Sequence, residues 1–143
     1  MIDHKNIDIA EVNNYLKGTL YEHLGMEVVE IGAEHVKMTM PVDKRTLQPM
    51  QILNGGASLA LAESVGSLAG NLSVYPHKTC LGLDISGRHL KSVSSGIVTA
   101  IAKPKRLGSK TQLWDIEIKD EENSLVCVSQ LTLMVMDKPA QKA

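Results

Sequence analysis

Asn54-Gly55-Gly56-Ala57-Ser58-Leu59-Ala60-Leu61-Ala62-Glu63-Ser64-Val65-Gly66-Ser67-Leu68-Ala69-Gly70-Asn71-Leu72-Ser73-Val74 reads as one helix, opened by an Asn cap and closed at Tyr75-Pro76. Apolar or small residues fill nearly every position, so this helix has no ordinary wet face and must be enclosed by something. Glu63 near its middle, with Ser58, Ser64, Ser67, Asn71 and Ser73 spread along it, argues for burial in a water-soluble fold and against a membrane span.

The flanking sequence supplies the enclosure. Upstream, Asp8 and Glu11 have the spacing of a capping box, and Ile9, Val12, Leu16 and Leu20 continue at helical spacing, which predicts a short helix over about 8–24. Val36, Met38 and Met40 then alternate with polar residues up to Pro41, and 26–31 reads as a partner strand turning at Gly32-Ala33. Beyond the long helix everything reads as strand. Leu81, Leu83 and Ile85 alternate with Gly82, Asp84 and Ser86; 97–103 is extended up to Pro104; Trp114, Ile116 and Ile118 alternate with charges; 125–136 is apolar on both faces, as a central strand should be. Short connections predict that the last four strands form an antiparallel meander. The expected class is α+β, one domain over 1–143 with a tail fraying over 138–143, in which a curved antiparallel sheet wraps a central helix. Ala57, Ala60, Ala62, Gly66, Ala69 and Gly70 let that sheet come close.

Composition narrows the function. With 143 residues, 15 Lys+Arg against 16 Asp+Glu and a net charge of -1, the chain does not present the general basic surface of a nucleic-acid binder. Four aromatics and no Phe leave no base-stacking platform. Cys80 and Cys127, behind a polar start without a secretory apolar run, point to two free thiols in a reducing cytoplasm. No Cys or His spacing suits a metal, and no phosphate loop, dinucleotide fingerprint or nucleophile elbow is present, so neither metal nor cofactor is expected.

Three places carry chemistry. Glu63 shares its stripe with Gly56, Leu59, Ala60, Gly66, Ser67 and Gly70, which looks like the floor of a pocket. At the helix start, Asn54-Gly55-Gly56 offers free backbone N–H groups and the positive end of the helix dipole to an oxyanion. Helical rise separates Asn54 from Glu63 by roughly 13 Å. One chain therefore cannot bring both to one atom, whereas two antiparallel helices across a two-fold can. The third place is basic: Arg88-His89-Leu90-Lys91-Ser92 and Lys103-Pro104-Lys105-Arg106-Leu107-Gly108-Ser109-Lys110, read as two neighbouring hairpin ends suited to a polyanionic small molecule.

Met40-Pro41-Val42-Asp43, Gln48-Pro49, Ile52 to Ser58, Leu61 to Ser67, and Lys103-Pro104 through Leu107-Gly108-Ser109 together resemble the hotdog-fold acyl-CoA thioesterases. The nearest branch is that of 4-hydroxybenzoyl-CoA and 1,4-dihydroxy-2-naphthoyl-CoA hydrolases, and the resemblance spans about 20–136. It implies a homodimer, often a homotetramer, acting on an acyl-CoA. Glu63 would attack the thioester or activate water, with Ser67 beside it; Gln48, Asn54 and Gly55 of the other subunit would hold the carbonyl. Gly82, His89, Leu90, Lys91, Ser92, Arg106, Leu107, Gly108, Ser109, Lys110 and Thr111 would hold CoA. At position 54 this branch usually has His, and Asn can donate a hydrogen bond but cannot titrate. The aliphatic, Met-rich composition suits an aryl or a medium-chain acyl group. A non-catalytic acyl-CoA-binding module is the alternative that Asn54 suggests.

Overall fold

The computed structural model describes residues 1–138. The tail expected to fray thus lies, from 139 on, outside the described residues. The long helix forms as expected, here α3 (Gly55–Val74), with Asn54 accepting from the N–H groups of Gly56 and Ala57. Around it lies one six-stranded antiparallel sheet of β1 (Glu27–Ile31), β2 (Val36–Pro41), β3 (Lys78–His89), β4 (Ile97–Leu107), β5 (Thr111–Lys119) and β6 (Leu125–Asp137), in the order β1-β2-β4-β5-β6-β3.

Three expectations change. The amphipathic stretch over about 8–24 is a pair, α1 (Ile9–Tyr15) and α2 (Leu20–His23), because Gly18 enters the left-handed region at φ 74 and breaks it. Asp8 caps α1 by accepting from Ala10 N–H. The meander holds only for β4-β5-β6. β3 pairs with β6 at the far edge, so the connection 90–96 crosses three strand spacings, about 14 Å, which seven residues span easily. Strand order is not encoded in alternation, which is why the sequence did not separate these two topologies. Finally, a bulge between Gly82 and Asp84 shifts the β3 register, and Leu81 and Leu83 stand exposed at 53% and 55%. The small residue Gly82 is the one that faces α3: a Cβ at this position would come 2.7 Å from Glu63 Oε1.

α3 lies in the hollow of the sheet. Leu61, Ala62, Val65 and Ala69 are fully buried against a sheet face that includes Ala100, Trp114, Ile116, Leu131 and Leu133. A Cβ at Gly66 would come 2.7 Å from Leu131 Cδ2, so the small residue is what allows helix and sheet to touch. Trp114, buried completely, donates to Gln112 Oε1; Gln112 donates to Ser73 Oγ, and Ser73 to Gly70 O, which ties the sheet to the end of α3. We expect Trp114→Ala to cost about 3–5 kcal/mol through the cavity and the broken relay, read as a lower urea midpoint by circular dichroism. A midpoint within error of the parent would contradict this packing.

Candidate active site

The N-terminal end of α3 opens on a cleft of about 340 Å³, lined by Gln48, Gly55, Ser58, His89, Lys91 and Ser92 among others. A loop held by its own hydrogen bonds builds its wall. Thr46 is buried and its hydroxyl donates to Pro41 O at 2.7 Å, while Asn54 N–H donates to Thr46 O at 2.8 Å. Gln48 N–H donates to Ile52 O, and the Gln48 side-chain carbonyl accepts from Met50 N–H at 2.9 Å, which holds the side chain and leaves its NH2 as a donor. Arg45 forks onto Asp43 in the same loop and holds that carboxyl down at about 2.

Asn54 spends its side-chain oxygen on Gly56 and Ala57, at 2.7 and 3.3 Å. Gly55 N–H is then the first-turn donor left without a protein acceptor among the described residues, at the positive end of a 20-residue helix. The His89 ring lies directly on this residue: a Cβ at position 55 would be 2.9 Å from Nε2. The site can therefore polarise a carbonyl placed on Gly55.

Glu63 stands elsewhere. Its side chain is exposed, with Oε1 against Gly82 on β3, so within one chain it crowns the open flank of α3 and is not the floor of a pocket. The small stripe around it is divided: Gly66 and Gly70 are buried against Leu131 and Leu133 of β6, while Gly56 is exposed and Ala60 and Ser67 are half-buried. Tyr21 of α2 donates its hydroxyl to Ser64 O at 3.2 Å; burial pushes its phenol up, the Ser64 bond opposes this, and the nearby Glu63 charge adds to it. Below, half-buried Ser67 lines a mainly apolar groove of about 960 Å³ with Tyr15, Tyr21, Leu68, Leu72 and Leu81. Burial likewise raises the Cys80 and Cys127 thiols, which suits inert packing residues.

The basic stretches are not neighbours in the chain. His89 lies opposite Cys127 of β6 and Thr111 opposite Met134, seven residues apart, so the β4–β5 hairpin tip with Arg106 to Thr111 sits about 23 Å from His89, at the other end of the sheet. Lys91 is also less free than expected. It pairs with Asp120 at 2.5 Å and with Glu122 at 3.7 Å, which raises its own pKa and lowers that of Asp120. Arg106, Leu107, Ser109, Lys110 and Thr111 are exposed, with Gly108 half-buried at the turn.

Sequence reasoning overlooked two residues here, Tyr21 and Asn71. Asn71 bonds the backbone of β3 at Cys80 through both ends of its amide. Its signal was an amide in an otherwise apolar helix turn, a residue type that is seldom left unpaired there. Among the described residues no group of His, Cys, Asp and Glu is placed to hold a metal, and no helix is long and apolar enough to cross a membrane.

Residues 50–127 match the family model described as Thioesterase superfamily. The 1,4-dihydroxy-2-naphthoyl-CoA hydrolase of Escherichia coli is 40% identical, over 95% of this chain and 100% of its own. The proofreading thioesterase EntH of Cronobacter turicensis is 42% identical, over 95% and 99%. The crystal structure of a thioesterase from Haemophilus influenzae superposes with a TM-score of 0.94 at 45% identity, covering 99% of this chain and 100% of that one.

Proposed function

The chain belongs to the thioesterase superfamily and is a thioester hydrolase, and from that membership we propose that it cleaves an aryl- or medium-chain acyl-CoA to the free acid and CoA without a cofactor. One observation carries the reading: the two halves of the chemistry rest on two separate points of one free edge strand, its middle and its last residue. Glu63 rests on Gly82 and the Gly55 donor rests under His89, while β3 has β6 on one side and no neighbour on the other. Long exposed edges are normally covered, and an antiparallel second copy covers this one best, because the same strand then meets itself about a two-fold axis. Gly82 of each chain comes beside His89 of the other. Glu63 thereby faces the second copy's Gly55, and the exposed flank of α3 is closed over.

In that site the thioester oxygen takes the Gly55 N–H, with Gln48 and the Asn54 amide as neighbouring donors. Glu63 either attacks the carbonyl carbon, giving a mixed anhydride that water then opens, or takes a proton from the attacking water; in both courses the C–S bond breaks and CoA leaves as the thiolate. Ser67 lines the way into the apolar groove, which accepts the acyl group. The two-fold also brings the second copy's Arg106 to Thr111 to the sheet end that holds His89 to Ser92, about 14 Å away at the nearest across three strand spacings, so the two basic stretches can share the phosphates of one extended CoA. Two buried free thiols fit a reducing cytoplasm.

The test is thiol release from a panel of aryl- and alkyl-CoA thioesters and from an acyl carrier protein. Turnover of one class supports the reading; binding without release by the folded dimer replaces it with an acyl-CoA-binding module. Asn54→His adds a titratable donor beside Gly55, and we expect kcat to rise, with a new limb in the pH profile near the ordinary His pKa of about 6.5. An unchanged or lower kcat would show that Asn54 is no deficit.

A further inference from the structure

The free edge of β3 is not free along its whole length. Asn71 reaches from α3 and donates to Cys80 O at 3.1 Å while accepting from Cys80 N–H at 2.9 Å, imitating a neighbouring strand for one residue. It also donates to Ser67 O and accepts from the Thr79 hydroxyl at 2.7 Å, so all its amide capacity is held. These Cys80 groups point away from β6, since the residue opposite, Val135, sends its N–H to Lys110 O.

Pairing sides alternate along a strand, and the β3–β6 register counts them. Ser86 lies five β6 positions from Cys80, and its carbonyl accepts from Ser129 Oγ of β6, so Ser86 faces inward. With Leu83 set aside by the bulge, the residues beyond Cys80 whose backbone groups face outward are Gly82, Ile85, Gly87 and His89. An antiparallel second copy satisfies all of them at once in one register only: Gly82 opposite His89, Ile85 opposite Gly87, and Ser86 opposite Ser86 on the axis. A slip that moves the axis to Ile85 would require Cys80 to pair with His89, and Asn71 occupies Cys80. A slip to Gly87 leaves Gly82 unpaired.

We propose that Asn71 is a positioning residue that fixes the register of the β3 self-pairing, with the two-fold axis at Ser86, and so aligns Glu63 with the Gly55 N–H of the second copy. The inference rests on the dimeric site proposed above. It assigns to an amide that lines the acyl groove, away from the reacting thioester, the setting of the distance on which the reaction depends.

Single cysteines read the register directly. Two residues facing each other on the axis in a pair that exchanges no hydrogen bonds have Cα atoms about 4.5 Å apart, within disulfide reach. Ser86→Cys is expected to give a covalent dimer on mild oxidation and Ile85→Cys is not; buried Cys80 and Cys127 do not compete. Adding Asn71→Ala should weaken the Ser86→Cys link, let Ile85→Cys link, and lower kcat by on the order of tenfold or more, since small misplacements cost that much. Asn71→Asp, which keeps the acceptor for Cys80 N–H, should recover part of both. If Ser86→Cys fails to link in a dimer that hydrolyses thioesters, or if Asn71→Ala leaves the link undiminished, the inference is overturned. Should Asn71→Ala not fold, the comparison of Ser86→Cys with Ile85→Cys in the otherwise intact chain decides it. Efficient Ser86→Cys linking in a protein that releases no thiol would support the register while sinking the proposed hydrolysis.

Discussion

Glu63→Gln lowers kcat on the best CoA thioester by at least about a hundredfold, the loss expected when a positioned acid-base group is removed. The substitution keeps the length and shape of the side chain, so the contact with Gly82 is retained and only the charge and basicity go. Stability should hardly change, because Glu63 is exposed while its neighbours Ala62 and Ser64 carry the burial of that turn. KM should stay within a few-fold, since the proposed CoA contacts are at the strand ends and not on this carboxylate. Thiol release, a melting curve and sedimentation on the same preparation check the three parts together. A folded dimer of Glu63→Gln that keeps more than about a tenth of parental kcat would remove Glu63 from the chemistry.

What the sequence disclosed and what it withheld have one physical cause. The apolar run over Gly55 to Val74, its Asn cap and the stop at Tyr75-Pro76 are local features, and α3 forms where they place it. Alternation at Trp114, Ile116 and Ile118 is equally local, and all three residues are buried as a face. Strand order is a property of non-local pairing, so the meander was extended one strand too far and β3 was put beside β4. That error is also what set the two basic stretches side by side. The sequence singles out Glu63 by its surroundings and reads the small residues near it as a floor, whereas in one chain Glu63 itself is exposed and Gly66 and Gly70 turn into the sheet. The loop that presents Gln48 carries no period at all; Gln51, at φ 61, adopts a backbone more usual for Gly or Asn, and only the folded loop shows that Gln48 is pinned by Met50.

Two inactive variants should restore each other. In a site shared across the axis, Glu63 comes from one chain and the Gly55 donor from the other, so each defect spoils a different contribution. Gly55→Val is suited to the second defect: the new side chain runs into the His89 ring and covers the carbonyl position, without requiring a left-handed backbone. Alone, either variant leaves no intact site in its homodimer. Co-expressed in equal amounts with Glu63→Gln, it forms hybrids in which one site collects both defects and the other collects neither. Half of the dimers are hybrids and half of their sites are whole, so activity should return to about a quarter of the parent value, from about a hundredth for either variant alone. Tagging one chain and purifying hybrids should raise this to about half. If both groups served one site from a single chain, every site in the mixture would carry one defect and mixing would restore nothing. Recovery near a quarter is therefore a direct reading of which helix start faces which carboxylate, and it distinguishes a composite site from two chains that merely associate.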